Sequence, residues 1–175
     1  CHRQYIQCLN TGGNIWCRTM GRLNRYFMLA KLILMGGGYK KAEYLRSKKY
    51  FKSQGEHCYL QPWNYGTEPE LISLGDNVHV ASGVTFVNHD ITCFMFEYMD
   101  KEHKYAGRRG EIAIGDNVFI GANSTLLYDV KIGNNVIIGA GSLVNKDIPD
   151  GSVAAGVPCR VIGKFEDYMM KIRVN

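Results

Sequence analysis

The chain holds five histidines, His2, His57, His79, His89 and His103, and an imidazole can serve as a general base, a metal ligand or a hydrogen-bonded structural group. Spacing has to separate these roles. His79, His89 and His103 lack the recurrence that a three-histidine zinc site built on a repeat would need. The six cysteines, Cys1, Cys8, Cys17, Cys58, Cys93 and Cys159, form no CxxC pair and no zinc spacing, so free thiols in a reducing cytoplasm are expected. Only His89, in Asn88-His89-Asp90, stands where a regular repeat stops and a long unpatterned segment leaves it. On the residues alone it is a candidate base or a structural histidine.

The repeat is the element that has to position His89. From Ile114 to Pro149 the sequence reads IGDNVF IGANST LLYDVK IGNNVI IGAGSL VNKDIP in blocks of six. Ile114, Ile120, Leu126, Ile132, Ile138 and Val144 open the blocks, a compact residue often follows, and Val118, Ser124, Val130, Val136, Ser142 and Ile148 take the fifth place. Such a period fits neither an amphipathic helix nor a half-buried strand, so the repeat is itself the structural unit. Each block reads as one short strand and a turn of a β-solenoid, its opening aliphatic pointing inward and its small second residue letting the backbone bend. Three blocks make a coil. The period starts at Leu74, Val80 and Phe86, with Val78 and Val84 in fifth places, and breaks between Phe86 and Ile114. Residues 92–111, TCFMFEYMDKEHKYAGRRGE, carry no block pattern and read as a loop thrown out from a corner. Long excursions from compact scaffolds are more often functional than idle.

Apolar residues at three- and four-residue spacings predict a helix from Met20 to Met35, stopped by Gly36, Gly37 and Gly38, and a second from Tyr39 to about Gln54. Together they would cover the open end of the solenoid. Residues 56–73, punctuated by Pro62, Gly66 and Pro69, read as an irregular approach to the first coil, and a final strand and a helix from Phe165 are expected after Pro149. The chain thus divides into an N-terminal helical segment (1–55), a solenoid domain (56–164) with the inserted loop 92–111, and a C-terminal helix (165–175). A net charge of +5 suits an anionic ligand, but no dense basic run marks a nucleic-acid binder. The longest apolar run, Tyr26 to Met35, is too short to span a bilayer, and membrane contact is only a minor alternative.

The strings IGDNVFIGANSTLL, IGAGSLVNKDIP and AAGVPCRVI, behind a loop that starts at Asn88-His89-Asp90, resemble the hexapeptide-repeat acyltransferases, and among them the galactoside, maltose and xenobiotic O-acetyltransferases. The likeness runs from roughly Pro62 to Ile162. It implies a mainly β fold, a left-handed parallel β-helix, and a cytoplasmic homotrimer with active sites between subunits. The activity implied is transfer of acetyl from acetyl-CoA, as cosubstrate, to a hydroxyl of a sugar or polysaccharide precursor. Drug acetylation of the streptogramin or chloramphenicol kind is the alternative within that activity. A γ-carbonic-anhydrase-like metalloprotein and a non-catalytic scaffold lie outside it.

The same resemblance makes His89 the general base, because an alcohol is a poor nucleophile at neutral pH. His103, in the loop, is the runner-up. A serine hydroxyl of galactoside-type members is matched here by Ala122, so a backbone N–H of Gly121 or Ala122 would have to meet the thioester oxygen. The pantetheine arm would pass Gly121, Ala140 and Gly141 and the ring of Phe119, where the family often has Trp. Lys146, beside Asn145, matches a lysine near the cofactor phosphates, and Arg160 and Lys164 are further phosphate candidates. The acceptor would sit near His89, with Asn64, Tyr65, Asn88 and Asp90 facing sugar hydroxyls and Trp63 stacking on a sugar face. Asp90 or Glu97 would orient the imidazole.

Overall fold

The computed structural model describes residues 22–174. His2, Cys1, Cys8, Cys17 and the first two residues of the expected Met20–Met35 helix lie outside that range. Strands of two to five residues form three sheets that are the faces of a prism. The first face stacks β1 (Ser53–Gln54), β3 (Ile72–Leu74), β6 (Ile112–Ile114) and β9 (Val130–Ile132). The second stacks β2 (Tyr59–Leu60), β4 (His79–Val80), β7 (Val118–Ile120), β10 (Val136–Ile138), β12 (Ser152–Ala155) and β13 (Arg160–Lys164). The third stacks β5 (Thr85–Val87), β8 (Thr125–Leu127) and β11 (Leu143–Val144). The pairing is parallel throughout except between β12 and β13, and the chain winds as a left-handed β-helix.

The six-residue period maps directly onto the faces. Ile114 pairs with Ile132, Ile120 with Ile138 and Leu126 with Val144, one coil apart. The opening residues from Leu74 to Val144 are buried, and so are the fifth-place residues from Val78 to Ile148. Each inward aliphatic contributes about 1.5–3 kcal/mol of hydrophobic stabilisation. Ser124 and Ser142 sit among them because both hydroxyls donate to the Gly139 carbonyl, at 3.1 and 2.6 Å.

One corner revises the role expected of the small second residue. The positive φ angles there fall on Asn77 (55°), Asn117 (55°) and Asn135 (54°), not on Gly75, Gly115 and Gly133. Asparagine bends the chain, at little cost in the left-handed region. The glycines instead make room: a Cβ on Gly115 would lie 2.6 Å from Asn134 Oδ1 and 2.9 Å from the Gly133 carbonyl. That space lets Asp116 Oδ1 accept from Asp76 N–H, Asn134 Oδ1 from Asp116 N–H and Asp150 Oδ1 from Asn134 N–H, each at 2.8 Å. Beside this ladder, Asn77 Nδ2 donates to Asn117 and Asn117 Nδ2 to Asn135, at 2.9 and 3.0 Å.

The ladder starts upstream of the readable period. Ser53 pairs with Ser73 and Tyr59 with His79, so the segment that reads as irregular already makes a coil, two residues longer than the rest. Helix α1 (Arg22–Leu34) buries Met28 and Leu32, and α2 (Gly38–Ser47) buries Ala42 and Leu45. The expected second helix overruns the observed one. It stops at Ser47, with Lys49 at φ 47°, because Ser53 and Gln54 are taken by the sheet. Tyr50, Phe51, Tyr65 and Phe86 pack ring to ring under this end of the prism. The inserted loop shows in the register, where Phe86 pairs with Leu126, forty residues on instead of eighteen. The loop carries helix α3 (Thr92–Met99). At the C-terminal end β13 turns back along β12 and leads into α4 (Phe165–Ile172).

Candidate active site

His89 stands at the corner where the third face hands over to the first, one residue beyond the buried Asn88. Its Nδ1 lies 2.8 Å from Glu68 Oε2 and 3.3 Å from Thr67 Oγ1, and Thr67 donates to the same carboxylate oxygen at 2.7 Å. The Glu68 side chain is 14% exposed and that of His89 27%, so the pair is sheltered while the ring keeps access to solvent. With Nδ1–H donating to Glu68, Nε2 carries the lone pair. In that tautomer the ring can accept a proton at Nε2.

The corner is also where the inserted loop leaves and returns. Asp90 N–H donates to Arg108 O and Gly110 N–H to Asn88 O, both at 2.9 Å, and His89 bridges Arg109. Asp90 Oδ1 accepts from Thr92 Oγ1 at 2.7 Å and from Thr92 N–H at 3.2 Å, while Oδ2 accepts from Tyr128 at 2.7 Å. The Thr92 and Tyr128 hydroxyls hold the Asp90 carboxyl below the usual carboxylate range, and the bond to Asp90 pushes the Tyr128 phenol up. The Arg108 guanidinium lies 5.4 Å from the centre of the Tyr128 ring.

The other acceptor candidates divide by exposure. Trp63 is 49% exposed and therefore free to meet a ligand rather than part of the core. Asn64 is exposed and accepts the Gly66 N–H at 3.2 Å. Tyr65 is fully buried, its hydroxyl donates to Pro62 O at 2.9 Å, and burial pushes its pKa up, so it is a core residue. Asn88 is 1% exposed, and neither atom of its amide head has a partner among the described residues. Glu97 lies on α3, and it is Glu68 that meets the imidazole instead of Asp90 or Glu97. His103 pairs with Asp100 at 2.7 Å in the loop. His79 lies on Tyr59, 5.7 Å between ring centres, and burial holds its pKa below the ordinary value.

The cofactor candidates lie along two prism edges and a terminal strand. Phe119, 46% exposed, lies in the outer row of the second face, between His79 and Ile137. Gly121, Ala122, Ala140 and Gly141 line the corner joining the second face to the third. A Cβ on Gly121 would come within 2.7 Å of Ala140 Cα, so the coils stack tightly there. The Gly121 N–H is committed to Ile138 O at 2.8 Å, so of the two candidate donors it is not free to meet a ligand oxygen. Asn145 and Lys146 stand on the other edge of the third face, the edge that carries His89. Arg160 and Lys164 are exposed on β13, and Arg160 donates to Cys159 O at 2.7 Å.

Glu68, Thr67 and Tyr128 are the residues that sequence reasoning missed. The structure sets an offset of twenty residues from Tyr59 to its partner His79, which brings residues 68 and 69 beside 88 and 89, and no six-residue block in that segment signals it. Among the described residues no helix is long and apolar enough to cross a membrane.

A prism of hexads with a histidine–carboxylate pair at the foot of its one long loop defines a narrow class. The family described as bacterial transferase hexapeptide (six repeats) matches residues 112–146. The chain is 46% identical over 111 residues to Protein CapG of Staphylococcus aureus, covering 63% of each. It is 34% identical over 147 residues to the galactoside O-acetyltransferase of Escherichia coli (strain K12), covering 69% of this chain and 67% of that one. The structure of a galactoside acetyltransferase in complex with coenzyme A matches with a TM-score of 0.61 at 28% identity, over 91% of this chain and 88% of that one. The chain belongs to the hexapeptide-repeat acetyltransferase family. It spans under two thirds of the length of CapG.

Proposed function

We propose that this protein is an acetyl-CoA-dependent O-acetyltransferase acting on a hydroxyl of a sugar or polysaccharide precursor. The observation that carries the reading is the His89–Glu68 pair at 2.8 Å, sheltered at the foot of the inserted loop. His89 Nε2 takes the proton of the acceptor hydroxyl as its oxygen attacks the thioester carbonyl. Glu68 holds the ring in the tautomer this needs and faces the positive charge that forms on it. The Ala122 N–H donates to the oxyanion of the tetrahedral intermediate, and His89 returns the proton to the departing thiolate sulfur. The relatives named galactoside O-acetyltransferase and the neighbour bound to coenzyme A support the donor and the acceptor class. Exposed Trp63 and Asn64 suit an acceptor with a flat apolar face and hydroxyl edges.

The working unit is a homotrimer with active sites between subunits. His89 and the corner formed by Gly121, Ala122, Ala140 and Gly141 lie at opposite edges of the third face, about 10 Å of strand apart, which favours a site completed by a neighbouring prism. The setting is the cytoplasm, where acetyl-CoA is supplied and the buried thiols of Cys58, Cys93 and Cys159 stay reduced.

Release of the CoA thiol, followed with acetyl-CoA and a panel of sugar and drug acceptors, tests this. His89→Ala should lower kcat by about 10²-fold or more while CoA affinity and assembly are kept. Unchanged turnover removes His89 as base. Acetylation of drugs alone moves the acceptor class.

A further inference from the structure

The mechanism gives no part to Asp90 or to Tyr128, although both adjoin His89. Tyr128 stands one step beyond the Val87–Leu127 pair, directly above Asn88 in the stack of coils. Its hydroxyl reaches down 2.7 Å to Asp90, while the second oxygen of Asp90 holds the first turn of α3 through Thr92. On the returning stem, Arg108 O accepts from Asp90 N–H and the Arg108 guanidinium covers the Tyr128 ring. His89 is thus fixed from two sides. Glu68, in the coil below, takes its ring, and Tyr128, in the coil above, takes the carboxylate of the next residue.

We propose that Asp90 and Tyr128 are positioning residues, a clamp that closes the foot of the inserted loop and holds the His89 backbone where its Nε2 meets the acceptor. Asp90 would then not be a ligand of the sugar, because both carboxylate oxygens are engaged within the protein. The link to turnover rests on the acyl-transfer reading. The clamp itself does not.

The experiment uses Tyr128→Phe, Asp90→Ala and the double variant of the full chain. Trypsin cleavage at Lys101, Lys104, Arg108 and Arg109 reports opening of the loop, and kcat and KM report the site. Tyr128→Phe keeps the ring beneath Arg108, so it isolates the hydroxyl. Each single variant should speed cleavage about tenfold or more, the scale of a lost hydrogen bond to a charged group. The double variant should cleave no faster than the worse single one, as expected for two members of one interaction. Both should lower kcat about tenfold to a hundredfold, the cost of a small misplacement, with KM for acetyl-CoA unchanged.

Cleavage at the parent rate in both single variants overturns the clamp. Faster cleavage with an unchanged kcat overturns the positioning of His89. Multiplied effects in the double variant also overturn it, since the two side chains would then act separately. A parent chain that transfers no acetyl group refutes the acyl-transfer reading, and the cleavage rates still decide the clamp.

Discussion

A carboxylate on Nδ1 selects the imidazole tautomer whose Nε2 is free to accept a proton, so the 2.8 Å contact with Glu68 bears directly on what His89 can do. Glu68→Gln keeps the shape of the side chain but presents an amide that can donate to Nδ1 and favour the opposite tautomer. A fall in kcat of about 10²-fold or more is expected, with KM for acetyl-CoA unchanged, in steady-state assays of the purified variant. A kcat equal to the parent's refutes the pairing as functional. His89 is legible in the sequence because it marks the end of a coil. Glu68 is not, because its own coil is two residues longer than the others and carries no six-residue blocks. Exposure is equally hidden from the sequence: Trp63 and Tyr65 lie two apart in one irregular segment, yet one is half-exposed and the other forms the aromatic floor of the prism.

At the scale of the element, the period carries most of the fold, because each block has the same inward pair of residues and the same corner. The glycines were legible as corners, but their cause was not. Nothing in a single coil shows that the next coil's Asp or Asn occupies the space of the missing Cβ. Gly115→Ala tests that reading. The new methyl would press on Asn134 Oδ1 and on the Gly133 backbone, and backbone cannot swing aside. A loss of about 1–3 kcal/mol is expected from the denaturant midpoint, as for other overpacked sites. A stability equal to the parent's would mean that the corner relaxes freely. The helices were less legible at their ends than at their centres. Helical spacing runs on through Lys48 and Lys49, while the next strand, set by pairing with β3, claims Ser53 and Gln54.

At the scale of the whole molecule, the prism sets the proposed base apart from most of the cofactor candidates, Asn145 and Lys146 excepted. The proposed base sits at one edge of the third face, and Phe119, Gly121, Ala122, Ala140 and Gly141 line the second face and its far corner. Exposed apolar side chains remain on the same molecule: Val161 and Ile162 on β13, and Tyr168, Met169 and Ile172 on α4. A shared site makes a prediction that a self-contained one does not. His89→Ala removes the proposed base, and Ala140→Trp, at an exposed corner, would block the proposed path of the pantetheine arm without touching the core. Each variant alone should keep at most about a hundredth of the parent turnover. If the assembly is the proposed trimer, co-expressed and co-purified mixtures should restore sites that take His89 from one subunit and Ala140 from its neighbour. About a quarter of the parent activity should return if the chains mix at random around a closed ring. Sites confined within single chains would give mixtures as inactive as their parts. The mass of the assembly, checked by sedimentation, should be three times 19.7 kDa in both cases, so a failed rescue cannot be ascribed to a failed assembly.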